Sequence, residues 1–325
     1  MPPKRGANAS KQKQESESQK HAAKPETKPK DETKTTNGDA TSKKRKTPSA
    51  SDEPQKSARR SGRSAPKSQP TQDQLLNFML SPDAEELCRP EDETADIQSR
   101  GADIRTYSSS VMSPFEELLC AVILSRPISH RLGLRSIRTV LNDPYNFSTP
   151  KAIRAAGQEK AHQALWDART QHKAKTAEQI SQIADVVLEK FTAKGDADGT
   201  QLGKVLDDCG GDVDKVLDAM KEAIKGLGGT GLNIFLRRVQ WLWEGGYPYV
   251  DDKTSLSLRK LGLPEEAEDL RKAMEQQWSK LKTKHLAGKD EAAKKRRAFV
   301  VILERAVGAD LEGKTDELMA AAAAA

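Results

Sequence analysis

Apolar side chains recur at helical spacing along most of the chain after residue 70. They fall three or four positions apart in successive segments, and no segment shows a convincing strand alternation. Ser113-Pro114-Phe115-Glu116 is the clearest helix start, because serine is a good cap, proline suits the first helical position and glutamate stands three residues after the serine. The pattern therefore predicts an all-α protein.

The predicted helices are separated by glycine, proline and polar segments. In chain order they cover residues 71–80, 84–88, 114–124, 131–142, 150–157, 160–191, 202–223, 232–239, 255–261, 265–285 and 291–307.

The first 70 residues lack this pattern. They contain almost no large apolar side chain, so burial does not offset the entropy of ordering them, and we predict a disordered tail over residues 1–70. This tail holds 18 Lys or Arg and 8 Asp or Glu, a balance of +10. Since the whole chain carries +6, the remainder carries −4. Any attraction of the folded part to nucleic acid must therefore come from local patches.

A compact basic cluster, Lys43-Lys44-Arg45-Lys46, lies within the tail. Such a cluster is typical of a nuclear localisation signal, which predicts nuclear localisation and an import receptor as a partner. The alternative is a solvated basic tail that no receptor binds. A basic arm would also add salt-sensitive affinity for DNA.

The cysteine spacing and the hydropathy of the chain bear on its cellular compartment. Cys88, Cys120 and Cys209 are widely spaced and offer neither a disulfide framework nor a metal-binding pattern, which suits a reducing compartment. No apolar run approaches the length of a membrane span, so we expect no membrane partner. We expect the chain to act as a monomer.

A glycine-rich segment, residues 224–232, separates two helical patterns. It places Gly226, Gly228, Gly229 and Gly231 within six residues. Glycine suits positions where φ is positive or where a ligand approaches the backbone closely. A helix that starts in such a turn presents unpaired N–H groups, which favours a phosphate site. The alternative is a glycine turn that ends the first helix and binds nothing.

Two motifs in this region carry a family resemblance. Gly226-Leu227-Gly228 resembles the hairpin of the helix-hairpin-helix DNA glycosylases, the superfamily of endonuclease III, adenine glycosylase and 3-methyladenine glycosylase. Pro248-Tyr249-Val250-Asp251 resembles the segment that delivers their catalytic aspartate about twenty residues later. A weaker similarity extends over residues 115–263. The resemblance implies an all-α domain over residues 71–318 with two helical subdomains around a cleft. The core subdomain would span residues 113–250, and residues 71–112 plus 252–310 would form the second.

The resemblance also implies site residues. Asp251 would stabilise the positive charge that builds on the sugar as an N-glycosidic bond breaks; the alternative is an ordinary helix N-cap. Arg237 would contact a DNA phosphate, with a solvated helix face as its alternative. The residues predicted to bind double-stranded DNA are Gly226, Leu227, Gly228, Gly229, Thr230, Gly231 and Arg237.

Two departures from the family pattern limit the predicted chemistry. Thr230 stands where the bifunctional members carry a lysine, and a hydroxyl forms no imine, so Schiff-base lyase activity should be absent. No cysteine follows Cys209, so an iron–sulfur cluster after the aspartate segment is excluded and we predict no cofactor. The resemblance does allow a monovalent cation at the hairpin. The sequence thus predicts a monofunctional DNA glycosylase of base-excision repair, with a catalytically inactive DNA-binding protein as the alternative.

Overall fold

The computed structural model describes residues 69–101 and 103–325. These residues form helices and no β-strand, which confirms the all-α prediction for this part of the chain. The helices are α1 Gln72–Met79, α2 Pro82–Cys88, α3 Glu91–Arg100, α4 Pro114–Leu124, α5 His130–Leu141, α6 Pro150–Asp167, α7 Lys173–Val186, α8 Gly203–Asp208, α9 Val213–Ala223, α10 Gly229–Val239, α11 Asp252–Lys260, α12 Ala267–Gln277, α13 Glu291–Glu312 and α14 Thr315–Ala324. A π-helical turn at Val187–Phe191 continues α7, and 3-10 turns lie at Glu244–Gly246 and Trp278–Lys280.

The predicted localisation cluster, Lys43–Lys46, lies outside the described residues, as does almost all of the predicted disordered tail. Across residues 69–101 and 103–325, every helix is too short or too polar to span a bilayer.

Side-chain caps fix several helix starts. The Ser113 hydroxyl accepts a hydrogen bond from the Glu116 amide at 3.3 Å, and the Glu116 carboxylate accepts one from the Ser113 amide at 2.9 Å. Pro114 occupies the first position of α4. The predicted start of this helix is therefore confirmed, and the reciprocal bonds satisfy backbone donors that would otherwise be unpaired.

Helix α3 has no counterpart in the sequence prediction. It carries no apolar stripe, and the side chain that it buries is Glu93. Arg138 of α5, which is 1% exposed, donates to Asp92, Glu93 and Asp96 at 2.7, 3.0 and 2.8 Å. A helix held by ion pairs lacks the hydrophobic period on which the prediction depends.

The single helix predicted over residues 160–191 is wrong. The chain leaves α6 at Asp167 and enters α7 at Lys173 because Arg169 and His172, with φ of 53° and 54°, adopt left-handed backbone between them. Gly157, with φ of 80°, kinks α6 where a helix end was expected. The predicted helix over 265–285 is also too long, since α12 ends at Gln277.

Buried apolar side chains fall into two clusters. The first comes mainly from α4–α10 and includes Phe115 and Phe235, and the second comes from α1, α2 and α11–α14 and includes Met79 and Phe299. Helix α10 packs on α4 in the first cluster, and α11 packs on α13 in the second. All described residues belong to one compact unit. The predicted subdomain boundaries remain a prediction.

Gly308 lies where α13 crosses α2, and it supplies a stability prediction. A Cβ atom at this position would lie 2.8 Å from the Cys88 carbonyl oxygen, which moves only with the backbone of α2. We expect Gly308→Ala to lower the free energy of unfolding by about 1–2 kcal/mol, since overpacking outweighs the gain in helix propensity. Urea denaturation measures the change. Gly229→Ala, where a Cβ has no neighbour within 4 Å, is the control and should cost nothing; equal losses in both variants would contradict the prediction.

Candidate nucleic-acid interface and adjoining cavity

The glycine segment forms an exposed turn between α9 and α10. Gly226 has φ of 82°, a left-handed conformation that favours glycine. Gln179 of α7 donates to the Lys225 carbonyl oxygen at 3.1 Å and holds the turn from behind. Leu227 is 3% exposed and anchors the turn in the first apolar cluster. The hairpin is therefore fixed at its inner side while Gly226, Gly228 and Gly229 face solvent.

The N-terminus of α10 has no capping side chain and no acidic residue in its first turn. Gly228 is the N-cap of this helix. Gly228, Gly229 and Thr230 are exposed, and an added Cβ at Gly228 or Gly229 would meet nothing within 4 Å. The first amides of a helix lack intrahelical acceptors and carry the positive end of the helix dipole. Gly231 is buried instead, where α10 approaches Leu227 and Ser125.

Asp251 is the N-cap of α11. Its Oδ1 accepts from the Lys253 and Thr254 amides at 3.1 and 3.2 Å, while Oδ2 accepts from the Thr254 hydroxyl at 2.7 Å and from Arg237 at 3.0 Å. The carboxylate is 7% exposed. Burial by itself raises the pKa of Asp251, but the charge of Arg237 and the hydrogen bonds from Thr254 and Arg237 outweigh it and hold that pKa below its ordinary value.

Arg237 is not the surface side chain that the sequence predicted. It lies in the last turn of α10, is 5% exposed, and donates through Nε to Glu304 of α13 at 2.6 Å as well as to Asp251. The alternative of a solvated face is wrong, because the guanidinium is buried between two carboxylates. Arg237 is corrected from a surface contact of DNA to the charge partner of Asp251.

The ion pairs continue beyond Arg237. Arg238 bonds to Glu117 of α4 through two nitrogens, at 2.8 and 3.0 Å, and reaches within 3.7 Å of Glu304. Burial raises the pKa of Glu304, but Arg237 and Arg238 together lower it below its ordinary value. The Tyr107 hydroxyl, which contributes to this lowering, makes no hydrogen bond of ordinary geometry. The network thus ties α10 to α4, α11 and α13, and so links both apolar clusters.

A cavity of about 300 Å³ opens beside this network. Its walls come from α2, the end of α4, α5, α10, α11 and α13. The polar groups that bear on its chemistry are Tyr107, His130, Arg237, Lys253, Glu304 and Arg305. Concave sites with mainly apolar walls and a few convergent polar groups are typical of ligand pockets.

The structure brings only some of the predicted site residues together. Asp251 does not line the cavity, and Arg237 does, so the guanidinium stands between the cavity and the carboxylate. The hairpin lies at the opposite end of α10, about 12 Å along the helix axis from Arg237 at 1.5 Å per residue. One rigid helix therefore connects the anion site, the cavity and Asp251.

Aromatic residues near Asp251 are mainly structural. Trp243 packs edge-on against Phe235 at 5.1 Å, and Trp241 lies under the guanidinium of Arg297 at 5.1 Å. Both tryptophans are buried, whereas Tyr247 and Tyr249 are half-buried. The two tryptophan rings therefore belong to the protein interior.

Glu117, Tyr107 and Glu304 are site residues that sequence reasoning missed. Two of them carried a readable signal: Glu117 stands within the apolar run of α4, and Glu304 directly follows Phe299–Leu303 in α13. A charged residue inside a buried helical face needs a partner, so each predicts an ion pair. Tyr107 lies before α4 in a segment whose apolar residues show no regular spacing, so the sequence gives no indication of its role.

Comparisons of the chain with models of known protein families, with curated proteins and with solved structures gave no match. The function of the site therefore has to be inferred from its own residues.

The buried pairs of Arg237 predict a pH-dependent loss of stability. Arg237→Met leaves two buried carboxylates without their main partner, which should lower the free energy of unfolding by about 3–5 kcal/mol at pH 7. In the native protein both carboxyls have lowered pKa values, so their ionisation stabilises the fold above the unfolded pKa of about 4 and this contribution is lost as pH falls. In the variant, burial raises both pKa values, and protonation relieves the cost. The difference in unfolding free energy between the native protein and Arg237→Met should therefore be smaller at pH 4 than at pH 7.

Urea denaturation at both pH values tests this prediction. Arg259→Met removes an exposed ion pair with Glu265 and is the matched control, with little change expected at either pH. A gap between native protein and Arg237→Met that stays constant or widens toward pH 4 would show that Arg237 does not hold these carboxylates ionised.

Proposed function

We propose that this protein is a monofunctional DNA glycosylase of base-excision repair. The observation that supports the proposal is the geometry of α10, which exposes Gly229 and Thr230 at its first turn and contacts Asp251 through Arg237 in its last. The cavity of about 300 Å³ beside Arg237 would offer space for an everted base. Enzymes that act on a base within a duplex must turn it out of the stack into such a pocket.

Each part has a role in this proposal. The exposed amides of Gly229 and Thr230 would bind a DNA phosphate and position the duplex. Asp251, kept ionised by Arg237 and its cap bonds, would stabilise the positive charge on the sugar as the base departs and would orient the attacking water. Arg237 keeps Glu304 as a partner if the Asp251 carboxylate turns toward the sugar. With Thr230 at the lysine position, the reaction would end at an abasic site.

A second candidate is a DNA-binding protein without catalysis. It is favoured by the saturation of Asp251, whose two oxygens accept four hydrogen bonds and whose carboxylate does not line the cavity. A carboxylate held in this way serves the fold as a cap and an ion-pair partner. The hairpin would then bind DNA without chemistry at the sugar.

Base excision distinguishes the two candidates. Duplexes that carry uracil, hypoxanthine, alkylated or oxidised bases, or mismatches, are incubated with the protein and then treated with alkali to cleave abasic sites. For the enzyme, we expect product with at least one substrate and a loss of about 100-fold or more in Asp251→Asn, since the charge at the sugar is removed. Borohydride should trap no covalent adduct, because Thr230 forms no Schiff base. DNA binding with no product from any substrate would instead establish the second candidate.

The hairpin is tested by adding a charge without disturbing the helix. An aspartate in the first turn interacts favourably with the helix dipole but repels a phosphate. Thr230→Asp should therefore fold at least as stably as the native protein and bind duplex DNA about tenfold more weakly. The plot of log K against log salt concentration should become less steep by about 0.9, which corresponds to the loss of one phosphate contact. Thr315→Asp places the same charge in the first turn of α14 and is the control. Unchanged affinity in Thr230→Asp would exclude the hairpin as a DNA contact.

A further inference from the structure

The carboxylates that line the cavity are already engaged by the protein. Glu304 accepts from Arg237 at 2.6 Å, and Glu85 pairs with Arg89 at 3.1 Å and with Arg305 at 3.0 Å. Each negative charge at the wall therefore faces at least one guanidinium within hydrogen-bond distance. A positively charged occupant would find no carboxylate that is free of a cation.

Hydrogen-bond donors, in contrast, are available at the cavity wall. Lys253 follows Asp251 in the first turn of α11, is exposed, lines the cavity, and makes no salt bridge with any residue in the described ranges. Arg237 presents its guanidinium to the same space. An ammonium and a guanidinium are donors only, so they pair with oxygen or nitrogen acceptors of an occupant.

The remaining polar groups do not favour a cation. Arg238 lies over the ring of Tyr107 at 4.2 Å from its centroid, so one face of this aromatic wall residue is already used by a guanidinium. Burial lowers the pKa of His130, and its Nδ1 lies 3.8 Å from the Glu312 carboxylate, which is already paired with Arg131. The Tyr107 hydroxyl lies near Glu304 and contributes to lowering its pKa. These groups therefore offer a cationic occupant no unpaired negative charge.

We propose that the cavity selects an everted neutral base that presents carbonyl oxygen, such as hypoxanthine or uracil, and rejects cationic N-alkylated purines. Lys253 and Arg237 donate to the carbonyl edge of the base, and the Lys253 ammonium, which pairs with no carboxylate in the described ranges, repels a base that carries a positive charge. Lys253 is thus assigned as a specificity-determining residue. The inference rests on the proposed function in one respect only, namely that a base enters this cavity.

Two duplexes that resist cleavage test the selection apart from catalysis. One carries 2′-fluoro-2′-deoxyinosine and the other 2′-fluoro-7-methyl-2′-deoxyguanosine, each opposite cytosine; the fluorine disfavours the oxocarbenium-like transition state. Fluorescence anisotropy with the full-length protein gives both dissociation constants. We expect the hypoxanthine duplex to bind at least about fivefold more tightly, the lower end of what one good donor–acceptor pair contributes to base discrimination.

Variants of the protein distinguish selection by the cavity from differences in base pairing between the two duplexes. Base pairing is a property of the DNA, so it affects the native protein and its variants equally. Lys253→Met should reduce the ratio of the two dissociation constants by about threefold or more. Lys272→Met, which removes an exposed lysine of α12 remote from the cavity lining, should retain the native ratio. A native preference for the methylated base, equal affinities, or a ratio that Lys253→Met leaves unchanged would each overturn the inference.

Excision assays keep this inference distinct from the proposed function. Selective binding of the hypoxanthine duplex without excision of hypoxanthine from its cleavable counterpart supports the cavity assignment and places the protein with the non-catalytic candidate. Excision confined to cationic alkylated bases overturns the assignment while leaving the glycosylase intact.

Discussion

The pairing of Arg237 with Asp251 and Glu304 is the interaction on which the site depends. A guanidinium in the last turn of one helix joins the cap of a second helix to the middle of a third. Removing charges from water is costly, and such a group persists only where its donors are well matched. Arg238 and Glu117 extend the match to α4, so the two apolar clusters meet across a polar seam. The adjoining cavity is lined by charged side chains of this network together with aliphatic side chains such as Leu124 and Ile234.

The turn between α9 and α10 combines exposed glycines with a buried anchor. Gly226, Gly228 and Gly229 face solvent, while Leu227 is buried in the first apolar cluster. Gln179 bonds to the turn from α7, so its geometry is set by tertiary contact and not by the loop alone. Because α10 starts in the turn and reaches Arg237 in its last turn, the exposed amides of the turn and the Asp251 carboxylate lie at opposite ends of one helix.

The sequence was informative where structure depends on local patterns. Ser113 and Pro114 correctly predicted the start of α4, and the glycines predicted the turn before α10, because caps and turns are determined by nearby residues. It failed where a contact joins distant residues. Helix α3 has no apolar period because Arg138, more than forty positions away, holds it by charge, and no spacing rule anticipates that. Arg237 was placed at the surface for the same reason: its partner Glu304 lies 67 residues further along the chain.

The attachment of α3 has a consequence for which residues can occupy position 138. Three separate nitrogens of Arg138, namely Nε, Nη1 and Nη2, each meet a different carboxylate. A lysine carries the same charge on one compact nitrogen and does not reproduce this fork. The exchange that is usually regarded as conservative would therefore leave acidic groups of α3 unmatched, and the helix would lose its registration on α5 even though the net charge of the protein had not changed.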